Sequence, residues 1–340
     1  MSHCFQQTKS SQKDIASHLR ALGSFYYWAN EGNLGDLLIA ESTRLFFEKE
    51  GLNWKPYHPD TPPAEESYNL VYGGGGRFTN HWRRLEKHQV HLTAPQVKGC
   101  VILPHSFYKV DTLLATFDRR HTIYCRGEST FNYVCATVSA DVTVHLADDM
   151  AISMQLGNLP RFGNSHPLSA SEEQELAHLL QLKVGQIMKR KVWYATVQGS
   201  MHGKRRKIAF LLRTDKEKSA LISNPLAYDI SLVWSSSCTG NKYTPELIHL
   251  FAEALQHPDI IVTDRLHVGI MAMHCGKEVY LIDNDYKKLS DVYNLSLKDT
   301  PTVHLLCSSQ LPQGIQAAFH RLSHGWFSRV YLSARKLFKP

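Results

Sequence analysis

Apolar residues in this chain fall mostly in short uninterrupted runs rather than in strict alternation. A run of four or five has the length of a strand covered on both faces, as inside a parallel sheet. Phe25-Tyr26-Tyr27-Trp28 is the first such run, and a glycine turn follows it. From about Asp36 to Glu50 the pattern is helical, and Gly51 stops it. Tyr68-Asn69-Leu70-Val71-Tyr72 is the second run and ends in four glycines; Cys100–Leu103 and Thr122–Cys125 supply two more. Strands alternating with helices predict a mostly parallel, doubly wound sheet.

The rhythm lapses after Leu156. Residues 157–207 open with Pro, Gly and Ser, contain a helical piece at Glu172–Leu182, and end in the basic run Lys204-Arg205-Arg206-Lys207. We read this stretch as inter-domain. Strands and helices resume with Ile208–Leu212, a strand at Ile230–Trp234, the helix Pro245–Gln256, the strand Asp259–Val262, a helix from about Arg265 to Cys275, and the strand Glu278–Ile282. The expected fold is α/β, with two Rossmann-like doubly wound domains, 1–156 and 208–320, facing a cleft in a GT-B-like arrangement.

Composition narrows the function classes. No apolar stretch reaches the length of a membrane span, and Met1–Arg20 has no apolar core of a signal peptide, so a cytoplasmic location is expected. Seven cysteines occur without C-x-x-C spacing, which argues against a disulfide framework or a structural zinc site. The net charge of +7 suits an anionic substrate, nucleic acid or an acidic membrane surface. The basic run 204–207 has no interleaved aromatics, which argues against nucleic acid. The P-loop pattern G-x-x-x-x-G-K-[ST] and the G-x-S-x-G pattern are both absent.

Candidate chemistry sits where strands end. In Gly32-Asn33-Leu34-Gly35-Asp36 the glycines permit close backbone approach and the following helix offers free N–H groups. Asp36 there is either a helix cap or a group that orients an acceptor hydroxyl. Gly73–Gly76 is either a loose loop or a tight wall against a ligand, with Gly74 and Gly75 at its centre. Arg126 and Arg213 each follow a strand. Thr263-Asp264-Arg265-Leu266-His267 follows another. Inside a helix Arg265 and His267 would lie about 200° apart. At a strand-to-helix junction both can converge on one anion, aided by the helix terminus. The alternative is an Asp264–Arg265 salt bridge with Thr263 as cap. Asp283–Lys288 ends the last strand as a polar turn or a weak carboxylate cluster.

Taken in order, these pieces resemble the polysaccharide pyruvyl transferase family, over roughly Tyr26–Tyr293. The matching segments are Gly32–Asp36, Gly73–Gly76, Leu103-Pro104-His105-Ser106, Arg126-Gly127-Glu128-Ser129, Thr263–His267 and Asp283-Asn284-Asp285-Tyr286-Lys287-Lys288. The resemblance implies a GT-B-like fold and phosphoenolpyruvate as donor, with no metal and no other cofactor. The product would be a cyclic pyruvate ketal on a hexose of a surface polysaccharide. Arg213, Arg265, Leu266, His267 and Arg126 would hold the donor, on the side of the second domain. His267 would be general acid or phosphate ligand. Asp36 would serve the acceptor, with Asn33, Gly35, Gly74, Gly75, His105, Asp283, Asn284 and Tyr286 around it. Family members often have Gln at His105, Pro at Asp149 and Gly at Lys287. A GT-B glycosyltransferase using a nucleotide sugar is the alternative on the same fold.

The C-terminal stretch Arg321–Pro340 reads as a basic amphipathic helix, with Leu322, Trp326 and Val330 on one side and Arg321, Arg329 and Arg335 on the other. It would either touch an anionic membrane carrying a lipid-linked acceptor or pack as a closing helix.

Overall fold

The computed structural model describes residues 9–30, 32–80, 85–158, 184–215, 217–219, 228–233, 235–236, 244–283, 287–306 and 311–324. Its strands are β1 (Phe25–Trp28), β2 (Gly32–Asn33), β3 (Trp54–Pro56), β4 (Tyr68–Tyr72), β5 (Val97–His105), β6 (His121–Cys125), β7 (Thr143–Leu146), β8 (Thr196–Met201), β9 (Lys204–Phe210), β10 (Ser235–Ser236), β11 (Ile260–Thr263), β12 (Glu278–Ile282) and β13 (Val303–Leu306).

The first sheet has the order β3-β1-β4-β5-β6-β7 and is parallel throughout. Chain direction across it reverses between β1 and β4, which makes the carboxyl ends of those two strands a topological switch point. Every residue of β4 is buried, as a strand covered on both faces requires, and its one polar side chain, Asn69, donates to the Leu22 and Ser24 carbonyls. The second sheet, β13-β12-β11-β9-β8, is parallel except for the edge hairpin β8–β9. The fold is thus α/β with two Rossmann-like halves in a GT-B-like arrangement.

The helix Leu34–Lys49 joins the halves. It is buried on nearly all sides, with Leu34, Leu37, Leu38, Ile39, Phe46 and Phe47 in the core. A helix apolar all round must be covered all round. The first half covers one side, and the helices Thr244–Ala254 and Leu266–His274 cover another. One apolar cluster accordingly runs from Ile15 through this helix to Val303. A second tie is the two-residue antiparallel pairing of β2 with β10.

Two expectations change. Ile230–Val233 is a short 3₁₀ turn rather than a strand, and among the described residues of this segment Ser235–Ser236 pair with β2. The reason lies at Asp229: its carbonyl accepts the Leu232 N–H at 3.2 Å while its carboxylate is held by Arg265 and by the Thr214 N–H. That anchorage bends the segment before it can extend. The stretch 157–207, read as inter-domain, supplies from 184 onward the helix Val184–Tyr194 and the hairpin β8–β9. The basic run 204–207 begins β9, which pairs with the edge strand β8. The helix expected at Glu172–Leu182 lies outside the described residues. Arg321–His324 end the helix Gln313–His324, and 325–340 lie outside the described residues.

Candidate functional site

A cavity of about 850 Å³ opens at the switch point of the first sheet and is closed from the other side by the carboxyl ends of β9, β11 and β12. The first half contributes Asn30, Asn33, Asp36, Gly76 and Arg126, and the second contributes Arg213, Ser231, Arg265, Leu266, His267 and Lys288. Residues far apart in sequence thus meet because both halves present strand ends to the same space.

Asn33, not Asp36, caps the helix Leu34–Lys49. Asn33 Oδ1 accepts the Gly35 N–H at 2.8 Å, and Asp36 Oδ2 accepts the Asn33 N–H at 2.8 Å, which closes a capping box. Asp36 Oδ1 makes no hydrogen bond among the described residues. Burial pushes the Asp36 carboxyl above the usual carboxylate range, against the pull of His267, the Asn33 amide, Lys288 and Arg126. Gly35 is a space requirement, since a Cβ there would stand 2.9 Å from both Cβ and Nδ1 of His267.

The glycine run is packed against protein rather than left open. A Cβ on Gly74 would sit 2.7 Å from the Pro104 carbonyl oxygen, and one on Gly75, whose φ is 139°, would sit 2.6 Å from Asn30 Nδ2. Gly74 and Gly75, expected in the cleft, lie beneath it, and Gly76 alone of the four lines the cavity. His105 also lies beneath it, with no exposure. Its Nδ1–H donates to the Gly73 carbonyl at 3.2 Å, and its Nε2 accepts the Arg77 N–H at 2.9 Å. Burial, with Arg126 nearby, holds the ring well below the ordinary histidine range, so it stays neutral and staples the loop.

Arg126 ends β6 and is fully buried. Its Nε donates to Ser106 Oγ at 2.8 Å and its Nη1 to Asp149 Oδ2. Among the described residues its buried Nη2 has no hydrogen-bond acceptor. Asp149 Oδ2 also accepts from His267 Nε2 at 3.3 Å. Burial alone would raise the Asp149 carboxyl, but His267 and Arg126 outweigh it and hold the group well below the usual range. His267 thus turns Nε2 toward Asp149, and Nδ1 has no hydrogen bond among the described residues.

Arg265 is the N-cap of the helix Leu266–His274, with extended dihedrals (φ −102°, ψ 110°), so it is not yet helical and shares the cavity with His267 as expected. Its Nε donates to Asp229 Oδ1 at 3.0 Å and its Nη2 to Asp215 Oδ2 at 2.7 Å. Arg213 grips Asp215 at 2.8 and 3.0 Å and pairs with Glu217. Asp264 does not pair with the neighbouring Arg265 side chain; its carboxylate accepts the N–H groups of Arg213 and Ser219 at 2.7 and 3.1 Å. Thr263 Oγ1 accepts the Arg265 N–H at 3.0 Å.

Asp283 lies away from the cavity and accepts the Leu289 and Ser290 N–H groups at 3.0 and 3.2 Å, which anchors the helix Lys288–Val292. Asn284 and Tyr286 lie outside the described residues. Lys287 stands in the left-handed region (φ 59°, ψ 29°) and turns Lys288 into the site. Lys288 Nζ lies 3.5 Å from Glu217 Oε2. Burial, partly offset by Glu217 and reinforced by Arg126 and Arg213, lowers its ammonium to about 8. A Cβ on Gly76 would lie 2.7 Å from Lys288 Nζ and 3.1 Å from Arg126 Nη2, so both cations flank that glycine.

Sequence reasoning passed over Asp149 and Lys288 as site residues. Each follows a strand end, the signal that located Arg126. It also missed the outer wall, where Trp28, Asp60, Lys87 and His91 line the cavity and His88 stacks on Trp28 at 5.1 Å and 7°. Among the described residues no group of three or more His, Cys, Asp or Glu is arranged to hold a metal ion.

Fold and site together define a two-half Rossmann-like protein with a polar cleft and cations at its floor. The family model described as polysaccharide pyruvyl transferase matches residues 33–286. The chain belongs to that family. It is 25% identical over 308 residues to the Bacillus subtilis (strain 168) protein named "Putative pyruvyl transferase EpsO", covering 84% of this chain and 88% of the relative. The fold is shared with a functionally uncharacterised protein from Klebsiella pneumoniae subsp. pneumoniae NTUH-K2044, with a TM-score of 0.64, 23% identity, and coverage of 88% of this chain and all of the other.

Proposed function

We propose that this protein transfers the pyruvyl group of phosphoenolpyruvate to a saccharide of a surface polysaccharide or its precursor, forming a ketal and releasing phosphate. The observation that carries the donor assignment is Arg126 Nη2, a buried guanidinium N–H with no acceptor among the described residues, beside Lys288. Leaving such a group unmade costs about 1–3 kcal/mol or more, a cost that a phosphate or carboxylate oxygen removes. Arg213 and Arg265, expected as the donor's main grip, already hold Asp215, Glu217 and Asp229. Their part is to shape the floor and to offer the edges of their guanidinium planes.

In this reading a proton passes from His267 to the methylene carbon of phosphoenolpyruvate, and C2 becomes an oxocarbenium-like centre. A sugar hydroxyl adds there and loses its proton to Asp36. The C2–O bond to phosphate then breaks, the proton on Asp36 passing to the departing phosphate oxygen. A neighbouring hydroxyl adds to the oxocarbenium-like carbon left behind and returns its proton to His267, which closes the ketal. Asp149 orients the His267 ring. The fixed cations offset phosphate charge without a solvent rearrangement. The outer wall around Trp28 and His88 gives a sugar an apolar ring face to rest on, with Asp60 available to its hydroxyls.

Phosphate release from phosphoenolpyruvate with and without candidate glycans, in the presence of a chelator, tests this. Release only with a glycan, undiminished by the chelator, is expected. Thermal stabilisation by a UDP- or GDP-sugar and none by phosphoenolpyruvate would overturn it in favour of glycosyl transfer.

A further inference from the structure

Of the 38 Lys and Arg residues in the chain, seven fall between 184 and 207, a stretch with no Asp or Glu. The remaining 31 basic residues equal the 31 acidic ones, so the whole net charge of +7 corresponds to this one stretch. It consists of two clusters, 189–191 on the helix Val184–Tyr194 and 204–207 on β9.

The fold turns the first cluster and two residues of the second, Arg205 and Lys207, to one side of the second sheet. Along β9, Ile208 and Phe210 share an apolar cluster with Ile315 and Ala318 of the helix Gln313–His324. Ala209 instead belongs with Met188 and Val192 of the helix Val184–Tyr194. Successive strand residues face opposite ways, so Arg205 and Lys207 lie on the side of that second helix. Arg205 and Lys207 make no salt bridge among the described residues, whereas Arg206, on the other face with Lys204, pairs with Glu278.

The helix adds aromatic rings to this charge. It buries Met188 and Val192 and exposes Lys189 and Arg190. Lys189 meets Glu253 at its edge. Trp193 is 49% exposed, an unusual position for so large an apolar side chain. It packs edge-on against Tyr194, with ring centroids 5.1 Å apart, and Arg190 lies 5.5 Å from the Tyr194 ring centre.

We propose that this face docks on the surface of an anionic phospholipid bilayer. Lysine and arginine near such a surface are attracted by the headgroup charge, and Trp and Tyr settle at the headgroup level with ring and polar tip both satisfied. A nucleic acid fits less well, because Trp193 and Tyr194 pack edge-on against each other instead of standing as a platform for bases. The position has a consequence for the site. The same helix packs against Ile230–Val233, whose Ser231 and Leu232 line the cavity, with Leu232 43% exposed. Docking therefore holds the cavity mouth near the headgroup plane, within reach of an acceptor carried on a lipid.

Flotation of the full chain with phosphatidylcholine vesicles, with and without phosphatidylglycerol, tests the proposal and requires neither phosphoenolpyruvate nor a saccharide. Its outcome is thus independent of whether the pyruvyl-transfer reading holds. Binding is expected only with phosphatidylglycerol and should fade at high salt. Arg205→Ser with Lys207→Ser should weaken it roughly thirtyfold, from about fivefold per basic residue near an anionic surface. Trp193→Ser should weaken it severalfold. Lys13→Ser, an exposed lysine on the helix Gln12–Leu22, should leave it unchanged. Equal binding to both vesicle types, or no loss in the double variant at an unchanged melting temperature, would overturn the proposal. Duplex DNA competing as well as the vesicles at the same salt would reassign the face to nucleic acid.

Discussion

Guanidinium groups reach the cavity floor from two sides and are bonded in opposite ways. On the second sheet, Arg213 and Arg265 share Asp215, and each holds a further carboxylate, Glu217 or Asp229. Their charge is compensated within the protein. On the first sheet, Arg126 spends Nε and Nη1 on Ser106 and Asp149 but leaves Nη2 buried and unmatched. In one cluster both guanidinium groups are held by carboxylates, and in the other, among the described residues, one guanidinium nitrogen has no acceptor. Position at a strand end is common to both, so position alone does not distinguish a structural arginine from a binding one; its remaining hydrogen-bond capacity does.

The largest effect expected concerns the group that Asp149 holds between the two sides. His267→Asn keeps a donor but cannot exchange protons near neutral pH. If the ring is the general acid, kcat falls about 10²–10⁴-fold while donor affinity changes little. An affinity loss as large as the rate loss would make it a phosphate ligand instead.

The contrast itself is tested next by a pair of variants. Arg265→Met leaves Asp229 buried and without its cation, so it should cost about 3–5 kcal/mol of stability, read from denaturant unfolding. Arg126→Lys keeps a cation beside Asp149 but removes the fork, so it should cost about 1.5–3 kcal/mol in donor binding, read by calorimetry, with a smaller change in stability. The reverse pattern, with Arg126→Lys unfolding the protein and binding unchanged, would break the distinction.

Lys288 makes a pH prediction. Its folded value of about 8 lies below the ordinary 10.5. Below about 8 the ammonium is charged and can hold an anion. Above it, donor affinity should fall by up to tenfold per pH unit, and Lys288→Arg should flatten that limb. For the free protein the sign is opposite. Between about 8 and 10.5 the unfolded chain binds a proton that the folded one has lost, so the Lys288 contribution makes stability rise with pH across that window. Unfolding curves with and without phosphoenolpyruvate separate the two trends. The smallest effect is at Lys287, where Lys287→Gly relieves a left-handed backbone and should raise stability by up to about 1 kcal/mol.

Much of the frame was legible in the residues. β1, β4 and β12 begin and end where their apolar runs do, because a strand buried on both faces needs apolar side chains along its length. The junction at Arg265 was legible too, since a strand run followed directly by a helical pattern leaves one residue extended between them. His105, Gly74 and Gly75 were expected in the cleft and lie under it. Their sequence signal, a polar or glycine residue at a strand end, is the same for a residue that touches ligand and for one that props up the loop that does. Ile230–Val233 had a strand's composition but was bent by Asp229, whose partner Arg265 is 36 residues away.

The sequence by itself determined what depends on near neighbours. Asn33 and Asp36 close a capping box over three residues, the strand runs announce a parallel sheet, and the order of motifs marks the family. Only the tertiary structure decided which cations are compensated. Asp149 meets Arg126 over 23 residues and His267 over 118, and Asp215 meets Arg265 over 50. A charge pairs with whatever carboxylate the fold brings within hydrogen-bond reach. That distance is set by how two sheets pack across the helix Leu34–Lys49, which no local pattern of residues encodes.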